Sequence, residues 1–116
     1  MKYLLLLYDD AAAVAAASVD DRRTMVAEHL AYASMLRERG ALVTSEPLDD
    51  SSSARTIRFS PGSDPVVTDG PFLETKEALG GFYVLEAGSI EEAAELARPI
   101  PRSPGLVAEI RPIVDM

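Results

Sequence analysis

Hydrophobic and polar positions follow two different periods along this chain. Lys2 to Tyr8 is a continuous apolar run, too short for a typical helix, and predicts a central strand buried on both faces. Asp9 to Ala17, rich in alanine, reads as a loop or a short extra turn of helix. Ser18-Val19-Asp20-Asp21 has the form of a capping box and predicts a long helix to about Arg39. At roughly 100° per residue, Met25, Val26, Leu30, Tyr32, Ala33 and Leu36 share one face of it, with His29 near the middle. Arg37 and Arg39 suit the negative end of the helix dipole, and Gly40 is a natural stop.

The period then shortens. Ala41 to Ser45 predicts a second strand, and Pro47 to Ala54, with its run of aspartates and serines, a polar turn. Arg55 to Phe59 predicts a third strand, with Arg55, Ile57 and Phe59 on one side and Thr56 and Arg58 on the other. After the turn at Pro61 to Pro65, Val66 to Thr68 is a short strand. Gly81 to Ala87 is another, with Phe82, Val84 and Glu86 alternating against Tyr83 and Leu85. Ser89-Ile90-Glu91-Glu92 opens a second helix, which packs Ile90, Ala93, Ala94 and Ala97 and halts at Pro99. Leu106 to Val114 is the last strand, and Pro112 marks it as an edge or a bulge.

The order is therefore β-α-β-β-(short β)-β-α-β. With the short strand set aside, it predicts an α+β, ferredoxin-like βαββαβ split pattern: a mostly antiparallel sheet with both helices on one face. That arrangement leaves the other sheet face open, and two such faces pair readily, so a homodimer is expected. The 116 residues read as one domain, 1–116, with no internal repeat.

Composition narrows the function classes. The net charge of −8 argues against nucleic acid and against anionic membrane surfaces, both of which need clustered cations. The chain has no cysteine, which rules out disulfides, thiolate nucleophiles and iron–sulfur ligation and suits a reducing, cytoplasmic setting. The N-terminal apolar run is cut short by Asp9-Asp10 and does not read as a secretion signal. No run approaches the roughly 18 apolar residues of a membrane helix.

The chemistry-bearing stretch runs from Val66 to Val84. Asp69-Gly70-Pro71 forces a bend, since Gly70 allows positive φ and Pro71 fixes its own. Phe72 follows as an apolar anchor, then Glu74, Lys76 and Glu77, then Gly80-Gly81. His29 is the sole histidine, and an imidazole shuttles protons near neutral pH, best when a carboxylate orients it. Its other reading is a buried neutral histidine with a single hydrogen-bond partner. Asp69 is a base or an orienter for His29, or an Asx-turn residue holding backbone N–H groups. Glu74 and Lys76 line a polar pocket or belong to a solvated loop. Arg111 binds a carboxylate as a fork or pairs with Glu109. Tyr83 supplies a phenol to the site or is a core residue with its hydroxyl at the edge. One histidine among scattered acids makes a poor metal site, and there is no phosphate loop or GxGxxG, so no cofactor is expected.

Thr68-Asp69-Gly70-Pro71-Phe72, Glu74-Thr75-Lys76-Glu77, Gly80-Gly81-Phe82-Tyr83 and Glu109-Ile110-Arg111-Pro112 together resemble the DGPF-domain branch of the YCII-related family. The likeness covers nearly the whole chain. It implies a dimeric α+β barrel of ferredoxin-like halves, with a biochemistry that is mostly undefined. YCII members carry a His–Asp pair proposed as acid–base machinery, and one relative is a dehydrochlorinating lyase on a chlorinated aromatic. DGPF members are associated with extracytoplasmic-function sigma factors, without a defined role. His29 matches the YCII histidine on the first helix. The paired aspartate should follow that helix, where this chain has Gly40-Ala41, and Asp69 is the substitute. The resemblance thus implies a His29–Asp69 acid–base pair, with Phe72, Glu74, Lys76, Tyr83 and Arg111 around a small-molecule ligand. Its alternative is a non-catalytic accessory module of a sigma factor.

Overall fold

The computed structural model describes residues 1–116. Strand β1 (Lys2–Asp10) is followed by a short helix α1 (Ala11–Ala15) and the long helix α2 (Val19–Glu38). Then come β2 (Leu42–Pro47), β3 (Arg55–Arg58), β4 (Val66–Asp69), β5 (Glu77–Glu86), α3 (Ile90–Ala97) and β6 (Val107–Pro112). Four strands form the main sheet in the order β2-β5-β1-β6, with every neighbouring pair antiparallel. This is the ferredoxin-like α+β arrangement, in which each helix carries the chain over one intervening strand. Pro112 lies on β6, an edge strand, where its missing N–H breaks no inner ladder.

Both caps form as the sequence predicts. Ser18 accepts from the Asp21 N–H at 3.0 Å and Ser89 accepts from the Glu92 N–H at 3.1 Å. Glu92 also reaches back to the Gly88 N–H at 2.9 Å, so an acid closes the start of α3 from the other side.

The core lies between the helices and one face of the sheet. Tyr3, Leu5 and Leu7 of β1 and Tyr83 and Leu85 of β5 meet Tyr32 and Leu36 of α2 and Ala93 and Leu96 of α3. Leu5, Leu36 and Leu85 are completely enclosed. Leu4, Leu6, Phe82 and Val84 point the other way and are half-buried, because no layer covers that face in the protomer. β1 is thus buried on one face, not two.

Other boundaries differ from expectation. β1 runs on through Asp9 and Asp10, which pair with Ala78 and Glu77, so β5 begins before the double glycine. A register shift between Leu7 and Tyr8 absorbs the extra residue, Gly80. Not only the short β4 but β3 too leaves the main sheet. The two pair with each other as a separate ribbon, Ile57 opposite Val67 and Arg55 opposite Asp69. On α2, the inward stripe is Met25, His29, Tyr32 and Leu36, spaced four, three and four residues apart. Val26 and Leu30, expected on that face, are turned toward solvent. No helix is long and apolar enough to cross a membrane.

Candidate functional site

The inward stripe of α2 presses His29 against β5. There its Nδ1 lies 2.7 Å from the Tyr83 hydroxyl, across 54 residues of sequence. The two rings are nearly parallel, 21° apart, with centroids at 6.1 Å. Tyr32, one turn further along α2, meets Tyr83 edge-on with centroids at 5.2 Å. The Tyr32 hydroxyl donates to the Leu96 carbonyl at 2.7 Å. A line of three aromatic rings therefore ties α2 to β5 and to α3. Its only group that reaches solvent to any extent is the half-buried imidazole.

Burial sets the electrostatics of this line. Removal from water disfavours the imidazolium and pulls the His29 pKa below its ordinary value, and the neighbouring Glu28 offsets this in part. Burial also raises Tyr83, which stays a neutral phenol, and pushes Tyr32 up further still. A neutral phenol beside a neutral imidazole donates its proton to Nδ1, which leaves the ring proton on Nε2. The reverse arrangement, Nδ1–H donating to the phenol oxygen, frees Nε2 as a base. A hydroxyl partner serves both tautomers because it can donate or accept. A carboxylate would favour the charged ring; Tyr83 brings no charge and leaves His29 neutral.

This has a pH consequence with a definite sign. The folded chain binds the His29 proton less tightly than the unfolded chain does. Above the unfolded value of about 6.5 both states are neutral there and the full stability is present. As pH falls from about 7 through that value toward the lower folded pKa, the unfolded state takes up the proton first and stability declines. The titration midpoint of the His29 ring signal should lie below that of the urea-unfolded chain, and His29→Gln should flatten the slope of stability over this window.

The other expected site residues have contacts of their own. Asp69, at the end of β4, pairs with Arg55 at 3.1 Å and is almost fully exposed. Gly70 next to it adopts φ of 91°, and its N–H donates to the Ala54 carbonyl at 2.8 Å, which ends the ribbon. Phe72 sits under the Arg58 guanidinium, 5.2 Å from its ring centroid, and is otherwise open to solvent. Lys76 lies 3.7 Å from Asp10, and Arg111 pairs with Glu109 at 2.6 Å. Glu74 is exposed. Of the seven expected residues, the fold brings His29 and Tyr83 into direct contact, while Asp69 and Phe72 belong to the ribbon and its base.

One carboxylate escaped the sequence reading. Asp9 sits on the helix side of β1, where burial raises its pKa, partly countered by a 3.2 Å hydrogen bond from the Ser103 hydroxyl. A methyl group on Gly80 would come within 3.1 Å of its Oδ2, so glycine at that position makes room for the carboxylate. The signal in the sequence was strand parity: Tyr3, Leu5, Leu7 and Asp9 alternate on one face. Beside Ser103, a hollow of about 450 Å³ is lined by residues including Arg98, Arg102, Leu106 and Ala108, between the end of α3 and β6. His29 is not among its lining residues.

Against known proteins, the YCII-related domain matches residues 1–116 of this chain. An uncharacterized protein of Rhizobium meliloti (strain 1021) is 33% identical over 115 residues, spanning 97% of this chain and 92% of the relative.

Proposed function

The chain belongs to the YCII-related family, and we propose that it binds a small aromatic substrate and performs proton abstraction or elimination on it with His29 as the acid–base group. The observation that supports this is the 2.7 Å contact between His29 Nδ1 and the Tyr83 hydroxyl on a half-buried imidazole. Depressed by burial, the ring is in its neutral, basic form at neutral pH. Tyr83 holds it in place before and after it takes up a proton. The reacting form is the tautomer with its proton on Nδ1: that N–H donates to the Tyr83 oxygen, and Nε2, carrying no proton, accepts the one taken from the substrate.

The Asp69-Gly70-Pro71-Phe72 word places the chain, on this reading, in the DGPF branch, acting as a cytoplasmic homodimer. The uncovered sheet face bearing Leu4, Leu6, Phe82 and Val84 supports the pairing of two copies, and the absence of cysteine fits a reducing compartment. Asp69, Phe72, Glu74, Lys76 and Arg111 are proposed to act on the ligand from the loop and sheet edge. The sigma-factor role draws on family resemblance alone.

The test is halide release from a panel of chlorinated phenols and hydroquinones. Release by the wild-type chain should fall by about 100-fold or more in His29→Gln, the usual size of a general-base contribution. If no member of the panel releases halide, and none shifts the NMR signals of His29 or Tyr83, the catalytic reading fails.

A further inference from the structure

Helix α3 has eight residues, about 12 Å, and ends just before Pro99. It is too short to roof the whole of β6. Ile110 of that strand packs against the core, but Ala108, two residues back on the same face, is exposed. In this gap lies the hollow of about 450 Å³, a volume in the range of small-molecule sites. Ala97, Ile100, Leu106 and Ala108 form its apolar wall. Its charged residues are Arg98 and Arg102, and no Asp or Glu lines it. The charge of the chain is thus reversed here, since its acidic side chains number 19 against 11 basic ones. A second hollow, of about 350 Å³, follows the bulk charge instead, with Glu86, Glu92 and Glu95 against Arg39. The loop that closes the first hollow is pinned to the end of β1. The Ser103 hydroxyl donates to Asp9 at 3.2 Å, and the Asp10 N–H donates to the Pro104 carbonyl at 2.9 Å.

We propose that this hollow binds a small organic carboxylate, with its apolar body against Ile100, Leu106 and Ala108 and its charge held by Arg102 and Arg98. The available donors select that class. Arg102 forms no ion pair. Arg98 meets Glu95 through Nε at 3.0 Å, and its two terminal nitrogens remain to grip a carboxylate as a fork. Ser103 has its one proton committed to Asp9, so the anion falls to the two guanidinium groups. The apolar wall selects against a bare inorganic anion, which would gain nothing from Ile100 or Leu106. An uncharged apolar molecule would make no use of the arginines. His29 is not among the lining residues, so this site does not rest on the acid–base reading above.

The experiment is a titration of the full chain with benzoate, followed by amide NMR, with benzyl alcohol and inorganic phosphate as comparison probes. Benzoate should shift the amides of residues 97–108 saturably and bind about 10-fold or more tighter than either comparison probe. Arg102→Gln should weaken benzoate by about 10-fold or more, the size of a lost charge-assisted contact. Ala108→Leu, which fills the hollow from β6, should abolish the shifts. Both positions are exposed, and unchanged amide signals in β1 and β5 will show that the variants keep the fold. The His29 ring signals should stay where they are, which separates this result from the fate of the acid–base reading. Shifts that grow linearly with benzoate and never saturate overturn the proposal. So does benzoate binding at full affinity in Arg102→Gln or Ala108→Leu, phosphate or benzyl alcohol binding as tightly as benzoate, or saturable shifts centred on His29 and Tyr83.

Discussion

Replacing Leu85 by alanine should cost about 2–5 kcal/mol of stability, a large part of what a chain of this size possesses. Leu85 is completely enclosed, facing α2 and α3 from the strand next to β1. Two losses combine there. The removed methyl and methylene groups forgo their transfer from water, and the walls of the cavity lose their packing partners. The walls cannot readily close in, because Leu85 sits opposite Tyr3 and beside Leu42 in a hydrogen-bonded ladder. The matched control is Leu30→Ala. Leu30 was expected on the inward face of α2, yet it is 64% exposed, so its truncation should change stability by less than about 1 kcal/mol. Urea unfolding reads both: the midpoint should fall sharply for Leu85→Ala with little change in slope, and barely move for Leu30→Ala. Equal losses at the two positions would mean that Leu30 is covered in solution.

What the residue pattern revealed, and what it hid, divides along sequence distance. The helix starts at Ser18 and Ser89 were legible because a cap acts within three residues, and those bonds form. The face of β1 was half legible. Alternation is invisible in a run as uniform as Leu4-Leu5-Leu6-Leu7, and only the partner layer decides which leucines are enclosed. Arg55 to Arg58 has the periodicity of a strand but nothing that names its neighbour. Its pairing with β4, away from the main sheet, is a choice between distant partners that local pattern does not encode. The site shows the same limit. His29 was singled out from its place on the helix, but its partner lies 54 residues away, and a carboxylate was expected where the fold supplies a phenol.

That phenol carries the second large effect. Tyr83→Ala should cost about 3–5 kcal/mol, since it removes a buried ring that packs against both Tyr32 and His29. Tyr83→Phe keeps the ring and deletes only the hydroxyl, so its cost should be nearer 1 kcal/mol, the net value of one hydrogen bond. The pair can be isolated by adding His29→Gln in each background. A coupling of about 0.5–1.5 kcal/mol between positions 29 and 83 is expected from a bond at 2.7 Å, and additive effects would mean that the contact contributes nothing. Nitrogen chemical shifts of the His29 ring supply a readout that packing alone would not move. In the wild-type chain at neutral pH, Nδ1 should show the shift of an unprotonated acceptor and Nε2 that of an N–H. In Tyr83→Phe, with the donor gone, that tautomer loses its support and the two signals should move toward each other. A ring that already carries its proton on Nδ1 in the wild type would reverse the direction of the bond, making Tyr83 the acceptor and His29 Nε2 the standing base.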